Sequence, residues 1–211
     1  MSNPFLSPSQ AELAPLVVVA GGARSGKSRF AVELAEARGE RRGFIATAQA
    51  FDDEMRARIE LHRRERGSRF ETLESPRDLA EVARSCGDFD VVLLDCLTIY
   101  VSNALLNSGD VETLDTEALG CVEQTILTDV RGGIVELRRR VGCVVVVTNE
   151  VGMGVVPASK LGRVFRDVAG RANQWIANEA TEVWTCLLGI PLRIKPTLQL
   201  GRNTADLGIT P

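Results

Sequence analysis

The sequence has 211 residues, 45% hydrophobic and 25% charged, proportions that fit one domain with its own core and exclude wholesale disorder. Lys and Arg number 25 against 28 Asp and Glu, a formal net charge of −3. Binders of nucleic acid or of anionic membranes present cationic surfaces, so neither partner is expected. The five cysteines, Cys86, Cys96, Cys121, Cys143 and Cys186, contain no CxxC pair, and with His62 as the single histidine they argue against a zinc site and for reduced thiols in a cytoplasmic protein.

In chain order, residues 1–14 lack the basic start and apolar centre of a secretory signal and read as a flexible N-terminal extension. Residues 15–196 read as a single domain and 197–211 as a C-terminal tail. No apolar run approaches the roughly 20 residues that cross a bilayer. Leu16–Ala20 predicts a strand, GGARSGKS a loop and SRFAVELAEA a helix. Gly43–Thr47 predicts the second strand. Asp52, Asp53 and Glu54 then place negative charge at the start of a helix that continues as RARIELHRRER, where the helix dipole favours it. Ser75-Pro76-Arg77-Asp78 offers an N-cap and a proline at the first helical position, predicting a helix to about Cys86. Val91–Asp95 is the third strand. Between 102 and 133, SGD and RGG punctuate an otherwise helical stretch. Cys143–Thr148 is the fourth strand. From Ala158 to Ala180, the residues Leu161, Val164, Phe165, Val168, Ala172, Trp175 and Ile176 recur at helical spacing. Val183–Leu188 and Leu192–Lys195 close the series. The first four strands lack alternation, as strands buried on both faces of a parallel sheet do, and their alternation with helices predicts an α/β fold.

The most specific motif is GGARSGKS, Gly21 to Ser28, which satisfies GxxxxGK[ST] between a predicted strand and a predicted helix. Gly21, Gly22 and Gly26 let the chain turn so that the backbone N–H groups of Ala23, Arg24 and Ser25 and their neighbours converge on phosphate oxygens at a helix N-terminus. Lys27 is placed to meet the β- and γ-phosphates, and the Ser28 hydroxyl to ligate Mg2+. The metal also needs a carboxylate at the same sheet end, and Asp95, ending VVLLD, supplies it. Glu150, after CVVVVT, reaches the same end, as a base or as a loop carboxylate fixing the VGMG turn.

On the second predicted helix, Met55, Ile59 and His62 share a face. His62 is either a packed histidine or, beside Arg58, Arg63, Arg64 and Arg66, an imidazole kept neutral and nucleophilic by neighbouring cations, able to form a phosphoramidate.

Four segments together, GGARSGKSRF, FIATAQAFDDEMRARIELHRRER, VVLLDCLTIYVSN and VVVVTNEVGMGVVPASKLGRVFRDVAGRANQ, resemble the bifunctional adenosylcobinamide kinase and adenosylcobinamide-phosphate guanylyltransferase family of cobalamin biosynthesis. The resemblance runs from about Val17 to Lys195. It implies a RecA-like P-loop nucleotide-binding fold with a mostly parallel central sheet and helices on both faces, assembled as a homotrimer. It implies that ATP or GTP phosphorylates adenosylcobinamide, and that GMP from GTP is then passed to adenosylcobinamide phosphate through a covalent adduct on His62, giving adenosylcobinamide-GDP. By position, it carries the nucleotide site to Gly21 through Ser28, to Thr47, Ala48 and Gln49, to Arg63, Arg64, Glu65 and Arg66, and to Glu74 and Asp95. The glycines in 39–43 and 67–68 are expected as flexible flanks of the His62 helix. The N-terminal extension and the tail from Pro196 depart from the family wording. Two rival readings stand beside it. One is a P-loop kinase for another small alcohol, with His62 structural. The other is a RecA-like nucleic-acid ATPase, against which the 5% aromatic content speaks.

Overall fold

The structure, a computed structural model, describes residues 13–50 and 53–196. Within the helix that carries His62, the side chains of residues 54, 55, 58, 61, 62, 65 and 66 lie outside the described set, as do Asp52, the tail beyond 196 and all but the last two residues of the proposed extension. The elements run β1 (Leu16–Gly21), α1 (Lys27–Glu36), β2 (Arg42–Ala46), α2 (Asp53–Arg66), β3 (Glu71–Glu74), α3 (Leu79–Ser85), β4 (Val91–Asp95), α4 (Leu97–Asn107), α5 (Thr116–Arg140), β5 (Val144–Asn149), α6 (Lys160–Glu179), β6 (Glu182–Leu187) and β7 (Ile190–Lys195).

The sheet order is β3-β2-β4-β5-β1-β6-β7. Every neighbouring pair is parallel except the β6–β7 hairpin. The expected α/β architecture is therefore present, with β5 standing between the strand that feeds the glycine loop and the strand that ends in Asp95. The apolar runs lack alternation because both faces are covered: Leu16, Val17, Val18 and Val19 are each at most 1% exposed. Val17, Val19, Leu93 and Val145 face Ala31 and Ala35 of α1. Leu16, Val18, Leu94 and Val146 face the opposite layer, built from α3 to α6. Two shells of buried aliphatic side chains hold the strand ends rigidly in line.

Several local expectations are corrected. α3 begins at Leu79, not Pro76: Ser75 is buried, its N–H donates to Ala46 O (2.9 Å) and its hydroxyl to Arg77 O (3.0 Å). The Leu79 N–H is instead met by the Tyr100 hydroxyl at 3.0 Å, so a side chain from α4 supplies the terminal partner that a local cap would have given. SGD does end α4, but RGG does not interrupt α5, which runs for 25 residues through both glycines. Gly133 is there for packing, since a Cβ on it would stand 2.5 Å from Leu79 Cγ where α5 crosses α3. The glycines of 39–43 serve close approach. Gly43 lies inside β2 with Val92 and Phe89 about its α-carbon, and a Cβ on Gly39 would meet Asp90.

Candidate active site

Strand register assembles the site before any side chain is considered. Gly21 pairs with Asn149, Val147 with Asp95, Asp95 with Ala46, and Ala46 with Glu74. The carboxyl ends of β1, β5, β4, β2 and β3 therefore lie along one edge of the sheet, where ligands of open α/β folds bind. A cleft open to solvent follows that edge. Lys27, Ser28, Asp95 and Asn149 line one part of it, and Ala48, Ile59, Arg63 and Glu74 another.

The glycine loop has the shape its sequence predicts. Arg24 and Gly26 adopt left-handed conformations (φ 57° and 89°). Gly21 is compelled sterically, because a Cβ there would meet Ser25 Oγ at 2.6 Å and Cys186 O at 2.8 Å. Gly22 has open space at its α-carbon, and its carbonyl is what the loop uses: it accepts from Lys27 Nζ (3.1 Å) and from the Ser25 N–H (3.3 Å). Gly189, at the tip of the β6–β7 hairpin, donates to Ser25 O at 3.2 Å and buttresses the loop from outside. α1 opens at Lys27 with no side-chain cap and no acidic residue in its first turn, leaving its terminal N–H groups and dipole directed at the cleft mouth, an arrangement suited to an anion.

Thr47, Ala48 and Gln49 separate in role. Ala48 lines the cleft. Thr47 does not offer its hydroxyl to a ligand, because the residue is fully buried and that hydroxyl accepts from Cys96 N–H (2.8 Å) and donates to Cys96 O (2.9 Å). Asn103 of α4 donates to Thr47 O at 2.8 Å. These bonds clamp the Asp95–Cys96 corner, whose peptide is cis. Cys96 lines the cleft, yet burial and the neighbouring Asp95 push its thiol up to about 12, too high for a nucleophile at neutral pH. Gln49 is half-buried and not part of the cleft wall.

α2 supplies Ile59 and Arg63 to the wall, and Arg63 pairs with Glu74 at the end of β3. Residue 62 sits in the same turn of α2, although its side chain lies outside the described residues, as do those of Glu65 and Arg66. Arg64 is solvated, facing Glu60 one turn away at 3.7 Å. Glu150 is exposed, its N–H donates to Gly21 O (3.1 Å), and its carboxylate accepts from Gly152 N–H (3.1 Å). Of its two expected roles, the structure displays the turn-fixing one. Asn149, just before it, was not anticipated. Asn149 is neutral, and only the strand register, which puts it opposite Gly21, marks it as part of the site.

The description "Cobinamide kinase / cobinamide phosphate guanyltransferase" matches residues 17–194. The chain belongs to this family. The bifunctional adenosylcobalamin biosynthesis protein CobU of Escherichia coli (strain K12) is 44% identical over 181 residues, 85% of this chain and 99% of the relative. CobU of Salmonella typhimurium is 40% identical over the same shares, and CobP of Pseudomonas aeruginosa is 39% identical over 84% of this chain and 96% of its own. Among solved structures, a Pyrococcus horikoshii protein aligns with a TM-score of 0.45 at 9% identity, covering 86% of each chain. The RadB recombinase aligns with a TM-score of 0.39 at 16% identity, covering 82% of this chain and 75% of its own. For a cobinamide kinase/guanyltransferase, a cleft that joins a phosphate-binding loop to a second, arginine-bearing helix is the feature in need of a chemical account.

Proposed function

We propose that this chain phosphorylates the aminopropanol hydroxyl of adenosylcobinamide with ATP or GTP, then transfers GMP from GTP to adenosylcobinamide phosphate, releasing pyrophosphate. The observation that carries this reading is that one cleft is lined both by Lys27 and Ser28 of the loop and by Ile59 and Arg63 of the helix bearing His62. The first step acts at the γ-phosphorus and the second at the α-phosphorus, so the enzyme needs functional groups near both ends of a triphosphate.

In this reading Gly21 to Ser28 hold the phosphates, and Lys27 stabilises the charge that collects on the leaving group. The Ser28 hydroxyl and Asp95 carboxylate are hard oxygen donors on one cleft wall, a fit for Mg2+, which when bound neutralises phosphate charge. Ala48, Arg63 and Glu74 line the guanine nucleotide, joined by Gln49, Arg64, Glu65 and Arg66, while Thr47, fully buried, serves the site by holding its Asp95–Cys96 corner. The His62 imidazole attacks the α-phosphorus, an N–P bond forms and pyrophosphate leaves. A phosphate oxygen of adenosylcobinamide phosphate then attacks the same phosphorus and the N–P bond breaks. We further read residues 15–196 as the working domain, the assembly as a homotrimer, and the setting as cytoplasmic, without nucleic-acid or membrane partners. Among the described residues no helix is long and apolar enough to cross a membrane.

The test uses α-labelled GTP. Wild type is expected to retain an acid-labile, alkali-stable label that leaves on addition of adenosylcobinamide phosphate, and His62→Ala is expected to lose the label while keeping phosphoryl transfer. Absence of any adduct on an active wild-type enzyme overturns the covalent step.

A further inference from the structure

Among the described residues, two buried side-chain polar atoms lack a hydrogen-bond partner, Ser25 Oγ and Asn149 Oδ1. Ser25 is part of the glycine loop, but Asn149 is not. It ends β5, opposite Gly21 in register, and lines the cleft with Lys27, Ser28 and Asp95. A buried amide oxygen without a partner is destabilising, because it has given up water and gained no donor in return. Such a cost persists where a ligand supplies the missing donor.

The position of Asn149 is fixed from behind. Thr98 of α4 accepts its N–H at 2.6 Å, and Asn173 of α6 donates to its carbonyl at 3.0 Å. Thr98 and Thr148 share a hydrogen bond at 3.0 Å, and Thr148 donates to Asn173 Oδ1 at 2.6 Å. Two helices thus lock the main chain of Asn149, a residue that lines the cleft and whose buried amide oxygen has no partner within the fold. That is a preorganised group, not a surface residue that happens to face a hole.

We propose that Asn149 acts in phosphoryl transfer, its Nδ2 donating to an oxygen of the γ-phosphate and its Oδ1 accepting from the attacking hydroxyl of the alcohol substrate. An amide cannot take the proton but can aim the lone pair. The acceptor oxygen then bonds to the γ-phosphorus, the bridging P–O bond breaks with its electron pair leaving on the nucleoside diphosphate, and the hydroxyl proton is released to solvent. Because Asn149 stands opposite the loop's first glycine, it serves the γ-phosphorus reaction and not the attack of residue 62 on the α-phosphorus. The inference rests on the kinase/guanylyltransferase reading.

The experiment compares wild type with Asn149→Ala and with the isosteric Asn149→Asp, which keeps the shape but replaces the donor with an anion. Phosphorylation of adenosylcobinamide and guanylylation of adenosylcobinamide phosphate are assayed separately. Affinities for a non-hydrolysable GTP analogue and for GDP are measured by calorimetry. Both variants are expected to lose on the order of a hundred-fold in the kinase kcat, to keep the guanylylation kcat at saturating GTP within about three-fold while its KM for GTP rises, and to lose the triphosphate's binding advantage over the diphosphate. Equal loss of both activities, or an unchanged triphosphate-to-diphosphate ratio, overturns the proposal. A wild type inactive on adenosylcobinamide counts against the functional reading instead, and the affinity ratio then still decides the role of Asn149.

Discussion

Thr47 shows how much a single hydroxyl can govern. It serves both backbone groups of Cys96 beside the Asp95 carboxylate, so Thr47→Val leaves the buried Cys96 N–H without its partner, while the Cys96 carbonyl still accepts from Tyr100 N–H. The expected cost is about 1–3 kcal/mol, read as a lower denaturant midpoint at unchanged slope. Phosphoryl transfer should fall with it as the Asp95 corner loosens. Thr47→Ser keeps the hydroxyl and is expected to recover most of both; a valine variant as stable as wild type refutes the clamp. This role was not legible in the sequence, because the partner is 49 residues away. The loop residues Gly21 to Ser28 were legible because their geometry is local: spacing alone specifies where the chain turns and where lysine and serine emerge. Asn149 falls between the two. Its strand is readable, but only the register that sets it opposite Gly21 gives it meaning.

At the scale of elements, amphipathic α6 and the buried strands were readable because their periodicity reports burial directly, and Ser159 caps α6 with a hydrogen bond from Gly162 N–H at 3.1 Å. Short, exposed β3 was not, since Glu71–Glu74 carries no apolar pattern and becomes a strand only by pairing with β2. The RGG segment misled for a related reason: glycine signals a break when read alone, but here it permits contact between helices. Its two glycines separate the effects. Gly132 is exposed with nothing near its α-carbon, so Gly132→Ala should stabilise by about 0.5–1 kcal/mol through helix propensity. Gly133→Ala gains the same propensity but drives a methyl into the root of fully buried Leu79, and is expected to destabilise by a net ~1–3 kcal/mol. Thermal unfolding of the two variants should shift in opposite directions. Equal shifts would mean that α5 does not press on α3 as described.

At the scale of the whole molecule, the β6–β7 hairpin carries one of the exposed apolar faces among the described residues. Ile190, Leu192 and Ile194 alternate along β7 and are 60%, 46% and 54% exposed. At the tip, Leu188 is 97% exposed and held at φ 54° in a two-residue turn with Gly189. A leucine in the left-handed region costs about 1–2 kcal/mol, and among the described residues its side chain is left almost wholly exposed. An apolar edge strand invites pairing with another chain, so this hairpin is the natural seam for the proposed homotrimer. A ring of three copies requires a head-to-tail contact, in which the hairpin meets a different surface of its neighbour. Charging the hairpin with Ile190→Glu and Ile194→Glu together should therefore convert a three-copy species to single chains in sedimentation equilibrium. It should also lower the thermal midpoint and make the remaining assembly concentration-dependent, because association is linked to folding by mass action. A wild type that sediments as one chain removes the trimer. A charged variant that stays trimeric moves the seam elsewhere and leaves Leu188 without a partner.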